Sequence, residues 1–263
     1  VQSSGYARAV GDVTTPDWFA AVRITGTDKA GSLGPNVTEY CSHPVTSPFS
    51  TGGESLRLEI KEPPDVVQDD PGRWANVDDF GADPTGRQDS SVAIQKAIDS
   101  GATTVFLPGS YALGSTVLIR GNVRRVAGIG GMGDYFGKTR PDFRIIDGEA
   151  SQVTVEHFSH IHGGLEIDTS RTVFLRSVSD CDLTCTRNAL GGELFCEDVV
   201  THDLKLNHQK IWARQLNIEN EGTHLTNNGS NLWVLGYKTE RGGTLMHTLG
   251  GGRSEILADP HRD

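Results

Sequence analysis

From Asp147 to the C-terminus the chain alternates apolar and polar residues in short runs that recur at a fixed period. Leu165-Glu166-Ile167, Leu204-Lys205-Leu206 and Leu245-Met246-His247 share one phase. Val173-Phe174-Leu175, Leu194-Phe195-Cys196, Ile211-Trp212-Ala213 and Leu232-Trp233-Val234 share a second. Ser177, Asp198, Glu219 and Glu240 mark a third. In the second and third phases the steps are 21 residues, except for 17 between Phe195 and Trp212. Alternation with a period of two predicts strands. A repeat of about 20–50 residues predicts a stack whose units bury their apolar sides only against one another. Three short strands per unit, separated by Gly, Asn, Asp or Ser, predict a parallel β-helix.

The pattern changes upstream. Asp89 or Ser90 sets up an N-cap, and Ala93, Ile94, Ala97 and Ile98 form an apolar helical face that ends near Gly101. This predicts a helix over about 89–100 that closes the open end of the first coil. Residues 61–73, rich in proline and charge, read as a linker. Residues 1–60 read as an N-terminal extension. Within it, Trp18 to Ile24 suits a strand and Gly31 to Pro35 a turn. The β-helix domain spans 74–263, and no capping element is evident after Ala258.

Phe80-Gly81-Ala82-Asp83-Pro84-Thr85-Gly86, Asp89, Ala93-Ile94-Gln95-Lys96-Ala97-Ile98 and Val105-Phe106-Leu107-Pro108-Gly109-Ser110-Tyr111 resemble the entry motif of the pectate-lyase superfamily. The match is narrowest to its pectate-lyase-3, glycoside-hydrolase-28-related members. The resemblance covers roughly 74–257. It implies an all-β fold, a right-handed parallel β-helix with a short N-terminal capping helix. It also implies a polysaccharide or other glycan as partner and an extracellular or periplasmic location. Twin-helix members of the superfamily suggest that residues 1–60 are the tail of a preceding β-helical half. The Asn-Thr-Asp, Gly-Asp-Asp, Gly-His-Gly and Arg-Ile-Lys motifs of polygalacturonases are absent, so no site residue carries over by motif.

Candidate chemistry therefore rests on the ladders. Equivalent positions in stacked strands lie about 4.8 Å apart. Asp198, Glu219 and Glu240 would line one outer face at that spacing, which suits the paired carboxyls of a retaining glycosidase, about 5–5.5 Å apart. The same row also suits an ordinary solvated face. His224 lies in the following turn and can join such a site. Phe174, Phe195, Trp212 and Trp233 would form an outward aromatic strip. Two readings follow: a platform that stacks sugar rings, or a surface that packs against a second β-helix half, a loop layer or a sister subunit. The activity expected is binding of a polysaccharide, with hydrolysis where the carboxylates act. The alternative is a non-catalytic glycan-binding or structural module of a larger assembly.

Net charge is −10 over 263 residues, which disfavours nucleic acid as partner. No apolar run approaches the roughly 18 residues of a membrane span. No cofactor is expected. Cys196, beside Leu194, reads as a core residue, and Cys181 and Cys185 are close enough in sequence to form a disulfide. His160 and His162 share a strand face, but no third ligand is evident, so no metal site is assigned. Gly128 to Gly133 opens no helix, which rejects a dinucleotide fingerprint. It reads as a turn with positive φ.

Overall fold

In the computed structural model the described residues are 8–14, 22–23, 33–34, 36–41, 56–66, 68–133 and 141–257. The chain is an all-β parallel β-helix of about seven turns. One row shows how it is built. Val105, Val126, Val155, Leu175, Cys196, Ala213, Val234 and Ile256 are successive register partners. All but the last are buried, and Ile256 is half-buried at the end of the column. Each coil hides its aliphatic side chains on the next, the only way such short strands can bury apolar surface. Leu165, Leu183, Leu204, Leu225 and Met246 form a second inward row on another sheet. Met246 therefore takes the rung that the sequence phase gave to Leu245, which is 42% exposed.

One bend per coil is made by a residue in the left-handed region. His157, Ser177, Asp198, Gln215 and Gly236 have φ between 49° and 79° and occupy one corner. The bracketing pairs Glu197↔Arg214 and Val199↔Leu216 place Asp198 opposite Gln215. Asp198 is thus a corner residue and does not share a row with Glu219, as the 21-residue spacing implied. The 17-residue coil between them shifts the phase.

The capping helix runs Ser91–Ile98 and buries Ala93, Ile94, Ala97 and Ile98 against the column. Ser90 holds the N-cap position without a side-chain capping bond, its hydroxyl accepting from the Asp83 amide. Asp89 supplies the acceptor instead, taking the Ser91 amide at 2.9 Å and the Gly114 amide at 2.7 Å. The motif before it is structural. Asp83 accepts from the amides of Thr85, Arg87 and Gln88, and Gly109 must lack a Cβ because one would meet Pro84 Cβ at 2.5 Å. Gly128, Gly130 and Gly131 are not at positive φ. Glycine is needed there for close approach: a Cβ on Gly130 would lie 2.4 Å from the Gly109 carbonyl oxygen.

Cys181, Cys185 and Cys196 are buried free thiols, so Cys181 and Cys185 do not pair. Burial raises the pKa of each, that of Cys196 to about 12. Upstream, Arg8–Thr14 pairs antiparallel with Asn36–Cys41, and Val22–Arg23 with Leu33–Gly34. The strand expected from Trp18 to Ile24 is seen only at Val22–Arg23; its other residues lie outside the described ones. So do Gly31, Ser32 and Pro35 of the expected turn.

Candidate functional site

The corner just before the inward leucines Leu183, Leu204 and Leu225 carries a set of titratable groups. Asp182 and Asp203 are register partners. Leu204 pairs with Leu225, so the next residue in that row is His224. These three positions are 21 residues apart, and each is followed by an inward leucine. Strand alternation sets His224 on the side opposite Leu225, yet it is only 2% exposed. Neither of its ring nitrogens has a hydrogen-bond partner. Leaving such a group unsatisfied costs about 1–3 kcal/mol, a cost that a ligand hydroxyl or water would remove.

Basic side chains stand among the carboxylates. His202 Nε2 is 2.6 Å from Asp180 Oδ1, and its Nδ1 is 3.8 Å from Asp182 Oδ1. Lys205 pairs with Asp203. Thr201 is the partner of Ile218, so His202 and Glu219 leave the sheet at the same corner of adjacent coils. Glu219 and Glu240 are register partners in turn. Lys238 serves both, 3.8 Å from Glu219 Oε1 and paired with Glu240. The ammonium lets two like charges sit one rung apart. Glu219 also accepts from Asn217 Nδ2.

The structure therefore brings Glu219, Glu240 and the Asp182–Asp203–His224 row to one corner, and leaves Asp198 at another. Sequence reading missed Asp182 and Asp203. Their signal was the same 21-residue step that picked out the aromatic strip, with an Asp or His before each inward leucine. Among the described residues, no group of three or more His, Cys, Asp or Glu side chains is arranged to hold a metal. The side chain of His162 is outside the description.

The aromatic strip lies on a different face. Phe174, Phe195, Trp212 and Trp233 are consecutive register partners and point out of the coil, but none is more than 5% exposed. They form a second apolar cluster, closed by Leu58 and Val66. As an open sugar platform the strip is thus corrected: the loop layer is its occupant. Residues 56–66 cross it from coil to coil. The Leu56 and Leu58 amides donate to Glu255 at 3.2 and 3.3 Å. Trp212 Nε1 donates to the Glu59 carbonyl at 2.7 Å. Lys61 reaches Glu193 at 2.7 Å and lies 5.6 Å above the Trp212 ring. Gln152 Nε2 donates to the Asp65 carbonyl. Residues 61–73, read as a linker, are thus docked over much of their length. Asp69 closes the crossing by accepting from Thr103, Thr104 and Trp74.

The family model described as "Rhamnogalacturonase A/epimerase, pectate lyase-like" matches residues 74–230. One solved structure that resembles the chain is ORF18 of Geobacillus virus E2, at 19% identity and a TM-score of 0.44. That alignment covers 72% of this chain and 48% of the phage protein, so the chain spans about half of its length. No curated protein matches. No helix among the described residues is long and apolar enough to cross a membrane.

Proposed function

The chain belongs to the rhamnogalacturonase A/epimerase, pectate lyase-like family, and from that carbohydrate-related setting we propose that it binds a polysaccharide at the acidic corner and hydrolyses it there. Extracellular or periplasmic action on a polymer fits the same reading. The observation that carries it is a run of carboxylates along one corner of successive coils, Asp182 and Asp203 in one row and Glu219 and Glu240 in another, with buried His224, whose ring nitrogens have no hydrogen-bond partner, in the row of Asp203. Rung spacing of about 4.8 Å is close to the carboxyl separation of retaining glycosidases, about 5–5.5 Å. One carboxyl would protonate the leaving oxygen while its neighbour stabilises or attacks the anomeric centre. Histidine and lysine would hold sugar hydroxyls and balance charge.

A second reading, a glycan-binding module without turnover, is favoured by Lys238, which ties up Glu219 and Glu240 together. One experiment separates them: reducing-sugar release and binding across a polysaccharide panel, with Glu219→Gln, Glu240→Gln and Asp203→Asn. Hydrolysis predicts a fall in activity of about 10²-fold or more in at least one variant, the usual scale of acid–base catalysis. The melting temperature should stay nearly constant. Binding without release selects the module. Full activity in all three variants moves the site elsewhere.

A further inference from the structure

We infer that the acidic corner takes a sugar polymer whose rings carry free ammonium groups, and rejects polyuronates. This substrate class rests on the polysaccharide reading of the corner given above. Charge points to it first. Asp180, Asp182, Asp203, Glu219, Glu221 and Glu240 stand at this corner or in its turns against Lys205, Lys238 and Arg241. Lys205 is already paired with Asp203, and Lys238 with Glu240. Arg241 lies in an exposed bend after Glu240. A uronate chain would lay its own carboxylates along this row with no lysine left to meet them, and the net charge of −10 repels it at longer range.

Hydrogen bonding points the same way. The Asn217 amide nitrogen donates to Glu219, and that of Asn220 to the Thr223 carbonyl at 3.4 Å. Both acceptors are oxygens, which fixes which way round the amides lie. The Oδ1 atom of each is left buried with no partner. Asn217 alternates with buried Leu216 and Ile218, so it shares the outer side with Glu219. His224, 2% exposed, adds two unpartnered ring nitrogens. Amide and carboxylate oxygens only accept, so what the corner lacks is donors. Lys238 shows what suits it. Its register partner is Asn217, and its ammonium lies 3.8 Å from Glu219 and pairs with Glu240. The corner thus already holds an alkylammonium of its own. A ring amine offers the same group, three donors and one positive charge, and competes with Lys238 for the same two glutamates. A neutral hydroxyl brings one donor and no charge.

The test is calorimetric titration of the full chain, in mildly acidic buffer of low ionic strength, with a glucosamine oligomer, its N-acetylated counterpart and oligogalacturonate. Saturable binding of the glucosamine oligomer is expected, with the other two at least about tenfold weaker, the scale of one charged hydrogen bond. Added salt should weaken it. Glu219→Gln and Glu240→Gln should each weaken it by about tenfold or more at an unchanged melting temperature. Asp198→Asn makes the same charge change at the other corner and should leave it unaltered, which separates a site from general attraction between a polycation and an acidic chain. Lys238→Met should tighten it by about tenfold, because the ligand amine then meets two glutamates that no lysine holds. The acetylated oligomer should gain nothing from that change. The amine is overturned if the glucosamine oligomer does not bind, or if either other oligomer binds as tightly. It is also overturned if Asp198→Asn weakens binding as much as Glu219→Gln does, or if Lys238→Met leaves the affinity unchanged. Should the acetylated oligomer or oligogalacturonate bind instead, and lose that binding in Glu219→Gln, the polysaccharide reading stands and only the amine falls. Binding by none of the three, together with none across the polysaccharide panel, removes both.

Discussion

Asp69 shows how much one side chain can hold in this fold. Burial works against its carboxylate, but hydrogen bonds from Thr103, Thr104 and Trp74 outweigh that and hold its pKa below the ordinary value. The sign of the linkage follows. The depressed group stabilises the folded state above its unfolded pKa, about 3.9. That contribution is lost as pH falls from there through the lower folded value. Asp69→Asn should therefore lower the melting temperature at pH 7 and narrow the difference from the parent as pH drops below about 4. A thermal melt series from about pH 7 to 2.5 checks it; a constant difference would remove Asp69 as the acid-sensitive contact. Gly109 makes a steric counterpart. Gly109→Ala forces a Cβ against Pro84, and the expected loss is about 1–3 kcal/mol, the range for overpacking.

At the level of elements, the strands were legible because inward residues recur with a period of two within each run and about 21 between runs. The aromatic register read from sequence is the register in the structure. The carboxylate row was only half legible. Glu219 and Glu240 stay in step, but the short coil from Phe195 to Trp212 moves Glu219 out of the row that Ser177 and Asp198 hold at the left-handed corner. Constant spacing alone cannot reveal where a coil loses its residues. The burial of the strip was illegible for another reason: its cover comes from about 150 residues upstream, and nothing periodic announces it. The inward assignment can be tested directly. Ile218 is fully buried in the column, so Ile218→Asp should abolish cooperative unfolding or cost several kcal/mol, as an unpaired buried charge does. A variant that melts like the parent would displace Ile218 from the core.

At the scale of the whole molecule, residues 56–66 and Asp69 act along the axis where the strands act across it. They touch Glu255 near one end of the stack, Trp212 in the middle and Thr103 and Thr104 near the other. A repeat stack holds together through nearest-neighbour contacts, so a segment that spans many coils adds coupling that the coils lack. Removing its hold at the centre should loosen distant coils together. Trp212→Ala deletes the stacked partner of Phe195, 4.9 Å away at 17°, together with the bond to Glu59 and the ring beneath Lys61. The expected loss is about 3–5 kcal/mol, as for buried aromatics, and not the roughly 0.5 kcal/mol of an exposed platform ring. Hydrogen exchange supplies the discriminating readout. If the segment couples the stack, amides of residues 56–66 and of the Arg253–Leu257 strand lose protection together in the variant. Loss confined to the Lys210–Glu219 strand and its immediate neighbours would mean that the segment is only a local cover.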